Sequence, residues 1–249
     1  MQHEPVNPPD ELTHGHLLDG RVRYAQPRRG FRSGIEPVLL AASIPARPGA
    51  RVLEGGCGAG ATLLCLAARV PGIRALGIER DPGLAALARQ NAAANGWADL
   101  AFAAADIAAV PPDQPFDHAC ANPPYHSDAG TASPDTARRA AKRAAAGLLA
   151  VWAAALARPL RPRGTLTFIL PAAVLPEALQ AFVVAGCAPT AMLPLWAGPG
   201  RAAKLLLLRG VKGSRAPFLV LPGLILHGSD GGFTATTESL LRKGERLEL

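Results

Sequence analysis

Seven residues, Glu54-Gly55-Gly56-Cys57-Gly58-Ala59-Gly60, join a strand signal at Arg51-Val52-Leu53-Glu54 to an apolar helix signal from Ala61 to Val70. A turn this rich in glycine lets the backbone approach a ligand closely and adopt positive φ. The helix that follows offers free first-turn N–H groups to a carboxylate or phosphate. Pro71-Gly72 stops that helix. Strand and helix signals then alternate. Ala75 to Glu79 reads as a second strand. Asp81 caps a helix with Pro82 at its first position, running to about Asn95 with Gly96 as its stop. Leu100 to Ala105 is a third strand ending at Asp106, and Phe116 to Ala121 a fourth. A long Ala-rich helix is expected from about Asp135 to Ala157, a fifth strand over Thr165 to Leu170, and a helix over Leu175 to Ala185. Such alternation predicts βαβ units and a parallel sheet. Met192 to Trp196 and Lys204 to Arg209 predict a terminal antiparallel pair, and Leu219 to His227 a possible extra strand. Residues 1–17 are polar and Pro-containing, and are expected to be a flexible segment ahead of a single domain over 18–249.

Asn122-Pro123-Pro124-Tyr125 follows the fourth strand directly. Two prolines cannot donate to a ladder, so the strand must end there. An amide, two rigid carbonyl-bearing residues and an aromatic ring are thereby fixed at a strand's carboxyl end, where open parallel sheets bind ligands. Those groups suit one task. Asn122 Oδ1 and the Pro123 carbonyl can accept from a planar –NH2 group, and the Tyr125 ring can stack on the plane that carries it.

Glu79 ends the second strand about 20 residues after the glycine turn, the usual position for an acid that takes ribose hydroxyls. Gly56-x-Gly58-x-x-Ala61 also fits a dinucleotide fingerprint. Two residues tilt the choice. Glu54 places a carboxylate beside the turn, where it would repel a pyrophosphate but attract the ammonium and sulfonium charges of S-adenosylmethionine. Asp106 lies where an adenine amino group would need an acceptor. Each residue also has an ordinary reading, Asp106 as a helix cap and Glu79 as a solvated acid.

Charge bears on the partner. The chain has 249 residues and a net charge of +7. Its basic residues cluster at Arg21, Arg23, Arg28, Arg29 and Arg32, at Arg138, Arg139, Lys142 and Arg143, and at Arg158, Arg161 and Arg163. Two clusters flank candidate site segments, which favours a polyanionic substrate. The four cysteines (Cys57, Cys65, Cys120, Cys187) form no C-x-x-C pair, so a reduced, cytosolic chain without a metal site is expected. No apolar run reaches the ~18 residues of a membrane span, and no signal-peptide core is present near the N-terminus.

With these motifs in place, the chain resembles class I S-adenosylmethionine-dependent methyltransferases carrying the Asn-Pro-Pro-Tyr motif. Within them it is most similar to the bacterial tRNA1(Val) (adenine37-N6)-methyltransferase family. The likeness rests on Phe31-Arg32-Ser33-Gly34-Ile35-Glu36-Pro37-Val38-Leu39-Leu40-Ala41-Ala42, on Val52 to Tyr125, and on Leu205 to Gly210 with Leu226 to Thr234. Ser33-Gly34-Ile35-Glu36 stands where the family has Gly-Thr-Asp, and Glu54 where many relatives have Asp. The resemblance implies a Rossmann-like fold, mostly parallel and seven-stranded with an antiparallel terminal strand. It implies Glu54, Gly56, Gly58 and Gly60 around the methionine moiety of S-adenosylmethionine, Glu79 on its ribose and Asp106 on its adenine. Asn122, Pro123, Pro124 and Tyr125 would surround the target base, with Asn122 also bordering the cofactor. The expected reaction is N6-methylation of adenine in RNA, with tRNA as the partner.

Two rivals use parts of the same pattern. The loop at Asn122 also fits a protein glutamine amide, although release-factor glutamine methyltransferases carry a sizeable N-terminal helical domain and only about 50 residues precede the glycine turn here. An NAD(P)-dependent oxidoreductase would use Gly56 to Ala61 but leaves Asn122 to Tyr125 without a task.

Overall fold

The computed structural model describes residues 11–29, 33–109, 115–124 and 147–249. The chain begins with a hairpin, β1 (Leu12–Leu17) and β2 (Val22–Pro27), paired antiparallel. The expectation of a flexible segment through residue 17 is therefore corrected at its boundary, because residues 12–17 are strand. Leu12-Thr13-His14-Gly15-His16-Leu17 is too polar to announce itself. Its order comes from the partner strand, whose Val22 and Tyr24 are buried, and from a turn through left-handed Leu18, Asp19 and Gly20.

Helix α1 (Glu36–Ser43) leads into the alternating core: β3 (Arg51–Gly55), α2 (Ala61–Arg69), β4 (Arg74–Glu79), α3 (Pro82–Ala94), β5 (Leu100–Ala104) and β6 (Phe116–Ala121). The expected signals of α3 are all used. Asp81 Oδ1 accepts from the Gly83 and Leu84 amides at 2.7 and 3.0 Å, Pro82 occupies the first turn, and Gly96 leaves the helix at φ +74°. Helix α4 is described over 147–157. There follow β7 (Leu160–Pro171), α5 (Leu175–Val184), β8 (Cys187–Trp196), β9 (Ala203–Lys212), the two-residue strands β10 (Leu219–Val220) and β11 (Leu224–Ile225), and a short helix α6 (Ala235–Glu238).

The main sheet runs β10-β8-β9-β7-β6-β3-β4-β5, with β11 also on β8. Strands β3 to β7 are parallel, and β9 lies antiparallel between β7 and β8. Apart from the two short strands on the free edge of β8, this is the expected seven-stranded, mostly parallel sheet of a Rossmann-like fold. Neighbouring residues of one strand serve opposite faces. Val52, Ile169 and Leu207 pack under α1, α2 and α3. Leu53, Phe168 and Leu208 pack under α4 and α5. Strand order moves outward from β3 to β5 and then jumps back to β6 on the other side of β3. That reversal opens a crevice beyond the carboxyl ends of β3 and β6.

Candidate functional site

Sheet register brings the candidate residues to one edge. Gly55, the last residue of β3, pairs with Ile78 of β4 and Ala121 of β6. Glu79 pairs with Ala104, the last residue of β5. Glu54, Glu79, Asp106 and Asn122 therefore sit at the tips of four adjacent strands.

The glycine turn is held in a fixed shape. Gly56, Gly58 and Gly60 lie at φ +62°, +53° and +89°, a region that costs an L-residue with a Cβ roughly 1–2 kcal/mol. The Cys57 amide donates to the Ile78 carbonyl (3.1 Å), and the Gly60 amide to the Cys57 carbonyl (2.8 Å). A Cβ on Gly58 would meet open space, whereas one on Gly56 would lie 2.6 Å from the Trp152 ring. Trp152, on α4, thus packs against the turn. The sequence reading missed it, because a lone tryptophan in an alanine-rich helix reads as core.

Glu54 is buried, at 3 % exposure. Burial pushes its carboxyl up to about 8, and the charge of Glu79 adds to the shift. Hydrogen bonds to the Thr62 side chain and Leu63 backbone act the other way. Glu54 Oε2 has no hydrogen-bond partner. A buried oxygen in that state is costly unless a donor reaches it. Close by, Tyr24 donates to or accepts from Ser33 Oγ at 2.7 Å. Burial raises its phenol to about 12, with Glu54 adding a smaller push in the same direction.

Glu79 is not a free solvated acid. Its Oε2 accepts from the Gly58 amide and its Oε1 from the Asp81 amide, both at 2.9 Å. The carboxylate therefore ties the glycine turn to the start of α3 and keeps lone pairs for further donors. Asp106 is exposed, and its Oδ1 accepts from the Ala108 amide at 2.8 Å. It caps the 3-10 turn Ile107–Ala109, so its ordinary reading holds in this structure, with its second oxygen remaining.

Asn122 is half-buried, Pro123 buried and Pro124 exposed, directly after the last residue of β6. Tyr125, Arg32 and the cluster Arg138, Arg139, Lys142 and Arg143 lie outside the described residues. The other basic clusters divide. Arg23 on the hairpin and Arg28 and Arg29 just after it are exposed, with Arg28 paired to Glu11. Arg21 instead donates to the Lys243 and Ala68 carbonyls. Arg161 pairs with Asp117 at the amino end of β6, away from the strand tips. A cleft of about 540 Å³, bordered by Arg21, Pro71, Trp97, Asp99 and Leu100, also lies at the amino ends, beside β4 and β5. It contains none of the candidate residues.

Residues 36–151 match the methyltransferase small domain. A tRNA1(Val) (adenine(37)-N6)-methyltransferase of Actinobacillus succinogenes is 36% identical over 149 residues, covering 58% of this chain and 63% of the relative. A release factor glutamine methyltransferase of Rhodospirillum rubrum is 41% identical over 102 residues, covering 40% of this chain and 31% of the relative. The chain spans less than two thirds of the length of these curated relatives. Among solved structures, a predicted O-methyltransferase of Agrobacterium tumefaciens superposes with a TM-score of 0.71 at 23% identity, covering 86% of this chain and 99% of that one. That likeness shows the fold: a Rossmann-like, mostly parallel sheet shared with that predicted methyltransferase.

Proposed function

We propose that this chain, which carries a methyltransferase small domain on a class I methyltransferase fold, methylates N6 of adenine in RNA, with tRNA as the substrate and S-adenosylmethionine as the donor. The observation that carries the reading is the juxtaposition of Asn122 with the glycine turn across the β3–β6 crevice. Chemistry of the site favours this donor over a dinucleotide. The unpartnered Glu54 oxygen beneath the turn would be answered by an ammonium group, whereas a pyrophosphate would face an acid. Glu79 and Asp106, at successive strand tips, offer acceptors to ribose hydroxyls and an adenine amine. S-adenosylmethionine, when bound, supplies an electrophilic methyl carbon on a sulfonium.

The chain's own contribution is orientation. A purine amine is a poor nucleophile because its lone pair is delocalised into the ring. Asn122 Oδ1 and the Pro123 carbonyl accept its two hydrogens and draw the nitrogen toward tetrahedral geometry. Its lone pair then points into the crevice. These hydrogen bonds strengthen as positive charge develops on nitrogen, so they favour the transition state over the ground state. Tyr125 adds a stacking face worth about 1–3 kcal/mol for an unstacked base. The exposed Arg29, just after the hairpin, suits a phosphate backbone.

A second reading, transfer to a protein glutamine amide, is prompted by the similarity to a release factor glutamine methyltransferase and would use the same two acceptors. One experiment separates the two: transfer of labelled methyl from S-adenosylmethionine to total tRNA, total rRNA and protein extract, with nucleoside analysis. The expected product is N6-methyladenosine in tRNA. Label confined to protein would replace the first reading with the second.

A further inference from the structure

Asn91 on α3 and Asn95, the residue that caps its C-terminus, lie four residues apart and so share one face, separated by a rise of about 6 Å. Residues 23 and 25 of β2 are spaced by nearly the same distance, about 6.8 Å, along their strand. The two carboxamides use this match to act as a substitute neighbour for the free edge of β2. Asn95 Oδ1 accepts from the Arg23 amide and its Nδ2 donates to the Arg23 carbonyl, both at 2.8 Å. Asn91 Oδ1 accepts from the Ala25 amide and its Nδ2 donates to the Ala25 carbonyl, both at 2.9 Å.

The pair differs in one hydrogen. The second amide hydrogen of Asn95 returns to its own helix, at the Asn91 carbonyl (2.8 Å). That of Asn91 goes to the Ala59 carbonyl at 3.0 Å, between Gly58 and Gly60 of the glycine turn. Asn91 is 3 % exposed, so water is a poor substitute for these bonds. One turn earlier on α3, Ala88 lies 3.3 Å from where a Cβ on Gly60 would stand. The same helix face therefore abuts the turn twice, and the Asn91 side chain hydrogen-bonds both the hairpin and the turn.

We infer that Asn91 is a positioning residue for the cofactor turn, fixing the Ala59 peptide and making the N-terminal hairpin a structural part of the cofactor site. The inference rests on the S-adenosylmethionine reading above. Asn95→Leu is the internal control, because it removes an equivalent clasp on β2 without touching the turn. Calorimetry with S-adenosylmethionine is expected to give an affinity about tenfold weaker for Asn91→Leu, the scale of one lost buried hydrogen bond, and little changed for Asn95→Leu. Both variants should melt earlier than the unmodified chain. Hydrogen exchange on the ligand-free proteins should quicken at the amides of residues 58–62 in Asn91→Leu alone. Should Asn91→Leu not fold, Asn91→Asp carries the same expectation, since it keeps the acceptor for the Ala25 amide and loses both donors. Equal affinities and equal exchange in the two variants would overturn the inference. An unmodified chain that does not bind S-adenosylmethionine would instead overturn the proposed function, with exchange at the turn still deciding the role of Asn91.

Discussion

Asn122 and Glu54 lie on neighbouring strands but face different demands. Asn122 is half-buried beyond the end of β6, and its proposed work is done only when a substrate amine is present. Asn122→Ala should therefore reduce methyl transfer at least a hundredfold while the affinity for S-adenosylmethionine changes little. Equal losses in both measurements would show that Asn122 serves cofactor binding instead. Glu54 carries a pH signature. Its folded value of about 8 stands above the ordinary 4.5, so between those limits the native chain holds a proton that the unfolded chain has lost. Stability falls wherever the folded state binds more protons and pH rises. The contribution of Glu54 is thus a loss of stability as pH climbs through that window, with no slope from it above or below. Urea unfolding of Glu54→Gln should show a flatter profile between about pH 5 and about pH 8. A profile parallel to the unmodified chain would contradict the burial of Glu54 as a costly acid. A bound ammonium group would lower the Glu54 value again, so donor binding near neutrality should release a proton, and that release should vanish in Glu54→Gln.

Among the elements, α3 joins the turn, the hairpin and Glu79, and its start is set by Asp81. The Asp81 side chain holds two first-turn amides while its own amide holds Glu79. Asp81→Ala should cost about 1 kcal/mol, a fall of roughly 2–4 °C in melting temperature for a chain of this size. Asp81→Asn should retain most of that, and identical melting of the two variants would deny the capping role. This helix was legible in the sequence because each of its signals is local: Asp81, Pro82 and Gly96 lie within or beside the element they bound. The strand tips were legible for the same reason, since Asn122-Pro123 ends β6 by its own chemistry. The hairpin was not. β1 has no apolar face of its own, and its order comes from β2, whose far edge is satisfied by Asn91 and Asn95 from about 70 positions later. Trp152 was missed on similar grounds. Its contact with Gly56 is a tertiary fact with no local trace. Glu79 was placed correctly at its strand tip, but its engagement with Gly58 depends on the turn's folded shape.

At the scale of the whole molecule, Arg209 joins parts that the sheet alone would not hold. It sits on β9, buried at 6 % exposure. Nε donates to Thr167 Oγ1 on β7 (3.3 Å), Nη1 to the Leu249 carbonyl (3.0 Å), and Nη2 to the Ser43 carbonyl at the end of α1. The Leu247 amide, in turn, donates to the Ala42 carbonyl at 2.9 Å. Burial lowers the guanidinium to about 10, and Arg246 acts in the same direction against Glu248, so it remains charged near neutrality. Arg209→Met keeps the bulk and removes three donor contacts at once. Relief of the buried charge offsets part of the cost, but the Ser43 carbonyl, stranded in a buried contact, costs about 1–3 kcal/mol. The melting temperature should drop by roughly 5–10 °C. Hydrogen exchange at the Leu247 amide should quicken more than exchange in β3 or β4, because the segment 245–249 would lose its anchor before the sheet opens. Unchanged melting together with unchanged protection at Leu247 would mean that apolar packing of Leu247 and Leu249 against the α1 face holds this segment without the arginine.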